Sequence, residues 1–150
     1  MDDSGSKYVA LDSRFIAHAD HVRLALGQVR KEARGALFVE DQPWEVRFDN
    51  LYANVIFDEE EKLYRCWYNP FVIDNVTSST SPDRRLGVAY RPGKREMGVC
   101  YAISRDGLAW EKSELGLVEL DGSMANNLVM RGVHGVGVTI DRHDPDAGRR

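Results

Sequence analysis

The sequence lacks the features that would suit it to a phosphate backbone or a lipid bilayer. Its 24 Asp and Glu outnumber its 20 Lys and Arg, for a formal charge of −4 and a pI near 5.6. Four mostly neutral His do not supply the clustered positive field that nucleic-acid binding needs. No apolar run approaches the roughly 20 residues of a spanning helix; stretches such as 53–57 and 133–140 are only a few residues long. No nucleic-acid or membrane partner is expected. The N-terminus, Met1-Asp2-Asp3-Ser4-Gly5-Ser6-Lys7, is acidic and small where a secretory leader would be basic and then apolar, which points to the cytoplasm.

Cysteine is scarce. Cys66 and Cys100 each sit inside an apolar run rather than in a close-spaced pair, a pattern that favours buried free thiols over a bridge or a zinc site. A Gly-rich phosphate loop, a nucleophile elbow, a His-Glu-x-x-His helix and a Cys-x-x-Cys pair are all missing, so nucleotide, α/β-hydrolase and zinc readings have no support and no cofactor is expected. Asp141, His143, Asp144 and Asp146 mix oxygen and nitrogen donors. Their spacing lacks the turn Gly and closing Glu of a calcium loop, so they read as a solvated segment and no metal is expected. Asn75-Val76-Thr77 is a glycosylation sequon of little weight without a leader.

What the chain does have is the content of a globular core, with 43% hydrophobic and 29% charged residues and a mean hydropathy of −0.44. Its periodicity is nearly all of period two. Val22, Leu24 and Leu26 alternate with Arg23 and Ala25, and Tyr64, Cys66 and Tyr68 with Arg65 and Trp67, as in half-buried strands. Residues 54–57 and 63–68 are β-rich runs joined by Asp58-Glu59-Glu60-Glu61-Lys62, which predicts a hairpin. One turn of like charge with no apolar stripe would not hold as a helix there.

Residues 74–95 are rich in Ser, Thr, Pro, Asp and Gly and read as an exposed insertion loop in which only 86–90 could pair. Strand character resumes at 98–104, followed by a turn at Arg105-Asp106-Gly107 and a return through Leu108-Ala109-Trp110-Glu111. Further short runs at 117–120, 127–130 and 137–140 flank the turn Asp121-Gly122-Ser123. No segment reads as a helix. Short strands at near-regular spacing predict an all-β sandwich, barrel or propeller. In Ser104-Arg105-Asp106-Gly107-Leu108-Ala109-Trp110, Ser and Asp can hold the backbone of a tight turn, Gly takes a positive φ and Trp packs back over the hairpin.

Several stretches in order carry a family resemblance. They are Leu37-Phe38 with Asp41-x-Pro43-Trp44-Glu45, residues 52–58 followed by 64–68, 101–111, 115–119, and Asn126-Asn127. Together they resemble bacterial five-bladed β-propeller proteins related to glycoside hydrolase families 32 and 43, of the sialidase-like superfamily. The resemblance runs over nearly the whole chain. It implies an all-β fold with little helix and hydrolysis of a glycosidic bond, with carbohydrate as the partner. A blade takes about 40–50 residues, so five need roughly 200–250 and this chain holds about three at most. Residues 1–150 are therefore expected to be the N-terminal portion of a truncated propeller, two to three blades of antiparallel strands, inactive alone.

Glycoside hydrolysis uses two carboxyl groups on opposite sides of the scissile bond. In the resembled enzymes the first lies near the start of the first blade. The resemblance implies that Asp49 holds that place here, with Glu45 the second choice, Trp44 stacking on a sugar ring and Arg47 binding a hydroxyl or carboxylate. One departure counts against catalysis: active members of the resembled families tend to carry Asp-Pro just before the first strand, and this chain has Tyr52-Ala53 before Asn54. The competing reading is a non-catalytic carbohydrate-binding or interaction propeller.

Overall fold

The computed structural model describes residues 13–78, 80–87, 94–141, 143–146 and 148. The chain divides into two units, Met1–Gly35 and Ala36–Arg150. Within the first, the described residues hold one 3-10 turn, Ser13–Phe15, and no strand. This corrects the strand expected at Val22, Leu24 and Leu26, whose residues are 73%, 48% and 100% exposed. Alternation makes a strand only where a neighbour takes its hydrogen bonds and one face is covered.

The second unit is an antiparallel sheet of five strands: β1 (Asn54–Asp58), β2 (Leu63–Tyr68), β3 (Phe71–Asp74), β4 (Arg95–Ser104) and β5 (Leu128–Arg131). The described residues are thus all-β, with helix confined to the single turn α1 (Asn75–Ser78) and short 3-10 turns such as Pro82–Gly87. The hairpin forms as expected, from Asn54 opposite Trp67 to Asp58 opposite Leu63. Its charged connection is a cap rather than a helix. Asp58 Oδ1 accepts the Glu60 and Glu61 N–H groups at 3.0 and 3.1 Å, and Lys62 turns back at φ 56°.

The long strand β4 organises the rest. Along one edge its C-terminal half pairs with β2 and its N-terminal end with β3, the two being separated by Asn69-Pro70, where proline has no N–H to give a ladder. The other edge pairs with β5, and further along with Glu111 through two backbone hydrogen bonds to Ile103 of 2.8 and 3.0 Å. The result is four lanes: β1, then β2 with β3, then β4, then β5 with Glu111. Of residues 86–90, Leu86 and Gly87 end the 3-10 turn and the remainder lies outside the described residues.

Register places the core. Cys66 lies opposite Ala102 and Tyr68 opposite Cys100, so the four side chains share one face. Leu128 and Val72 join them, and Phe38, Trp44, Phe48, Leu51 and Trp110 pack over the top. Both cysteines are buried thiols, and burial pushes Cys66 up to about 11 and Cys100 up to about 12. The turn after β4 has the construction its residues predict. Asp106 Oδ1 accepts the Leu108 and Ala109 N–H groups, each at 2.8 Å, and Ser104 Oγ accepts that of Gly107 at 2.9 Å. Gly107 takes φ 73°, and Trp110 returns edge-on to Phe38 at 5.6 Å.

Candidate functional site

The site is assembled around β3. On one side, Val46 N–H donates to Phe71 O at 3.0 Å and Phe71 N–H to Arg47 O at 2.9 Å, which brings the segment before β1 alongside β3. On the other, Asp74 lies opposite Arg95 and Ile73 opposite Glu96. Sheet register thus brings Arg47, Asp74 and Arg95 together from three places in the chain.

Their charges alternate in a row. Arg47 Nη2 lies 3.1 Å from Asp49 Oδ2 and Nη1 3.8 Å from Asp74 Oδ2, which Arg95 Nε approaches to 3.4 Å. Asp74, with 0% of its side chain exposed, is the buried anchor between the two guanidiniums; Asp49, 43% exposed, forms the outer end of the row. Burial alone would raise the Asp74 pKa. Hydrogen bonds from the Thr77 N–H and hydroxyl, the Arg95 charge and the Val76 N–H outweigh it and hold the carboxyl below its ordinary value. The same bonds, at 3.1 and 3.2 Å from the two N–H groups, cap the first turn of α1.

A cavity of about 380 Å³ opens over this row, lined by Asp49, Asn50, Phe71, Arg95, Glu96 and His134 among others. The Arg95 guanidinium sits 5.6 Å from the centre of the Phe71 ring, and His134 packs edge-on to Tyr52 at 5.1 Å. Glu96 is held by two hydrogen bonds from Arg131, at 2.6 and 3.0 Å, that keep its carboxyl below the usual range. The cavity therefore offers an exposed oriented carboxylate at Asp49, an aromatic wall at Phe71 and an imidazole at His134, with the buried Arg95 guanidinium behind them. Such a lining suits a small hydroxyl-bearing ligand, and its volume falls within the roughly 300–1,000 Å³ of small-molecule sites.

Of the four residues singled out in the sequence, the structure brings Arg47 and Asp49 together here and places Glu45 and Trp44 elsewhere. Glu45 is buried in a polar network inside the core cover. Its Oε2 accepts the N–H groups of Asp41 (3.0 Å) and Gln42 (3.1 Å) and the Lys112 ammonium (2.8 Å), while Oε1 accepts the Tyr68 hydroxyl at 2.6 Å. Burial, then the neighbouring Cys100 and Glu45, raise the Tyr68 pKa far above its ordinary value, so that hydroxyl stays a donor. Asn127 extends the network, donating from Nδ2 to Tyr68 Oη at 2.8 Å and accepting the Trp44 indole N–H at 2.7 Å. Every polar group named in it is answered, as a buried network requires.

Sequence reasoning missed Asp74, Arg95, Glu96 and His134 as a group. Asp74 carried a readable signal, since Asp before Asn-Val-Thr is a helix-cap pattern. Nothing local points to the others, which meet only through pairing of β3 and β4 and the turn after β5. Fold and site together define an all-β antiparallel domain with a charged, partly aromatic cavity at one end of its sheet. No protein-family model, curated protein or solved structure matches the chain. Among the described residues, no helix is long and apolar enough to cross a membrane and no group of three His, Cys, Asp or Glu could hold a metal ion.

Proposed function

We propose that the chain is part of a five-bladed β-propeller related to glycoside hydrolase families 32 and 43, cytoplasmic in location, and that it binds carbohydrate in the cavity between Asp49 and Arg95. Four antiparallel lanes in a near-meander, with a Ser-x-Asp-Gly-x-x-Trp turn leaving the third, support this reading, since a blade is a four-stranded antiparallel sheet. The observation that carries the ligand class is Asp49, an exposed carboxylate oriented by Arg47 at the rim of a cavity of sugar size. Carboxylates accept paired sugar hydroxyls well because each of their oxygens takes a hydrogen bond without giving one.

In this reading Asp49 supplies the first carboxylate of a glycosidase in the full-length parent. Hydrolysis also needs a carboxylic acid carrying a proton. Glu96, the other carboxylate of the cavity, is held ionised by Arg131 and does not suit that role. The acid would come from beyond the described lining. A second reading, carbohydrate binding without turnover, is favoured by Glu96 being so held and by Tyr52-Ala53 standing where active members of the resembled families tend to have Asp-Pro.

The test is calorimetric titration of the chain with neutral and acidic oligosaccharides, with release of reducing ends assayed on the full-length parent. Binding that Asp49→Asn abolishes supports the cavity, and turnover by the parent or its absence then selects between the two readings. An absence of heat with every sugar, or binding indifferent to Asp49→Asn, rejects both.

A further inference from the structure

A second recess, sharing no lining residue with the Asp49 cavity, lies between Trp44 and the Asp121 hairpin. It has a volume of about 260 Å³ and is lined by Pro43, Trp44, Leu120, Asp121, Ser123 and Asn126 among others. Its aromatic wall is fixed. The Trp44 indole N–H is tied at 2.7 Å to Asn127, a fully buried side chain itself held by bonds from Nδ2 to Tyr68 Oη and to Tyr101 O. An indole so held has its torsions set before any ligand arrives, so little rotamer freedom is lost on contact.

The facing wall is equally rigid. Leu120 and Ser123 exchange both backbone hydrogen bonds, at 2.9 and 3.0 Å, across Asp121 and Gly122, whose φ values of 50° and 82° make a two-residue hairpin turn with both centres left-handed. The Gly122 N–H is fastened to Glu119 Oε1 at 2.7 Å, and Ser123 Oγ accepts the Ala125 N–H at 3.1 Å. Asn126 closes the floor, donating to Val118 O and accepting the Leu128 N–H. The exposed Asp121 carboxylate stands at the rim.

We infer that this recess is a subsite for a neutral sugar unit, with the C–H face of the ring on the Trp44 indole and its hydroxyls donating to Asp121. An electron-rich ring face attracts the slightly positive C–H bonds of a pyranose, while the carboxylate takes the hydroxyls at the ring edge. An anionic sugar is disfavoured by Asp121 with Glu119 behind it. A quaternary or ammonium cation calls for several aromatic walls, and here Trp44 faces Pro43, Leu120 and a hairpin. The subsite shares with the reading above only its ligand class, since none of its lining residues borders the Asp49 cavity.

The experiment follows the assigned Trp44 indole N–H and Gly122 amide by NMR during separate titrations with cellotetraose, xylotetraose, maltotetraose and nystose at millimolar concentration. Choline and a tryptophan amide serve as cation and peptide-side-chain probes. Asp121→Asn keeps the turn, because Asn-Gly favours the same hairpin, but weakens the acceptor. The expected result is that at least one tetrasaccharide moves both signals, that Asp121→Asn weakens this binding about tenfold, and that Asp49→Asn leaves it unchanged. The inference is overturned if no tetrasaccharide moves the Trp44 signal, if Asp121→Asn binds as well as the parent, or if only choline or the tryptophan amide is bound. Failure of the Asp49 cavity is read separately, at the Asn50 and His134 amides.

Discussion

The Glu45 carboxylate and the Lys112 ammonium lie 2.8 Å apart with 0% and 4% of their side chains exposed. Lys112 also approaches Asp41 at 2.7 Å and sits 4.5, 5.4 and 5.6 Å from the ring centres of Phe38, Phe48 and Tyr68. One ammonium thus joins the turn before β1 to the segment after β4, beneath the aromatic cover of the core. Its charge is satisfied by two carboxylates, the Val39 carbonyl at 2.8 Å and three ring systems.

Removing Lys112 leaves the buried Glu45 charge without its cation. Lys112→Met is expected to lower the free energy of unfolding by about 3–5 kcal/mol, read from urea denaturation. The double variant Glu45→Gln with Lys112→Met should recover a large part of the loss, because no uncompensated charge remains. A single-variant loss below about 1 kcal/mol, the range of an exposed pair, would show that the network is solvated.

Gly98 is the most closely surrounded of the described glycines. A Cβ there would lie 2.6 Å from Leu128 Cδ2, 3.0 Å from Met130 O and 3.3 Å from Val72 Cγ1. Gly98→Ala should cost about 1–3 kcal/mol through overpacking and loosen β5 from β4. Amide exchange of Met130 and Arg131 is the direct reading; unchanged protection with an unchanged melting temperature would refute it.

Acid should destabilise through Asp74. Its folded pKa lies below the ordinary 3.8, so the stability it contributes is present above that value and is lost as pH falls through the lower folded one. Urea midpoints of the parent should be flat near neutrality and fall below about pH 4. In Asp74→Asn the neutral-pH midpoint should drop and the acid limb become shallower. An acid limb as steep in the variant as in the parent would exclude Asp74 as its source.

At the alkaline end the two thiols set the trend from pH 9, and Tyr68, raised from its ordinary 10.0, adds to it above that value. Cys66 is raised to about 11 and Cys100 to about 12 from an ordinary 9.0, so the unfolded chain ionises first. The stability they contribute is complete below pH 9 and is lost as pH rises from there through those values. For the same reason a disulfide reagent at pH 8 should label neither thiol until the sheet opens. Labelling as fast as in the denatured chain would show that the face carrying Cys66 and Cys100 is accessible.

The β1–β2 hairpin and the Ser104–Trp110 turn were legible because their information is local. Alternating Tyr64, Cys66 and Tyr68, a charged connection, and Ser, Asp and Gly at fixed offsets state what the backbone does within a few residues. Val22, Leu24 and Leu26 show the limit of that signal, since period two describes a face and not the partner that covers it. The site was half legible. Arg47 and Asp49 are two residues apart and pair on their own terms, whereas Arg95 joins them through a bulged register between β3 and β4 that leaves no trace in either segment. Glu45 resembled a site carboxylate in sequence because a carboxylate aimed at its own turn looks the same as one aimed at a ligand. Tyr68, Lys112 and Asn127, from 23, 67 and about 80 residues away, decide which it is.

The central claim is that the cavity between Asp49 and Arg95 takes a sugar. Its most direct test is backbone amide shift mapping during titration with oligosaccharides, neutral and uronic. The account expects the largest shifts at Asn50, Phe71, Met97, Gly132 and His134, lost together in Asp49→Asn. Saturating sugar that leaves those five amides unmoved would contradict it.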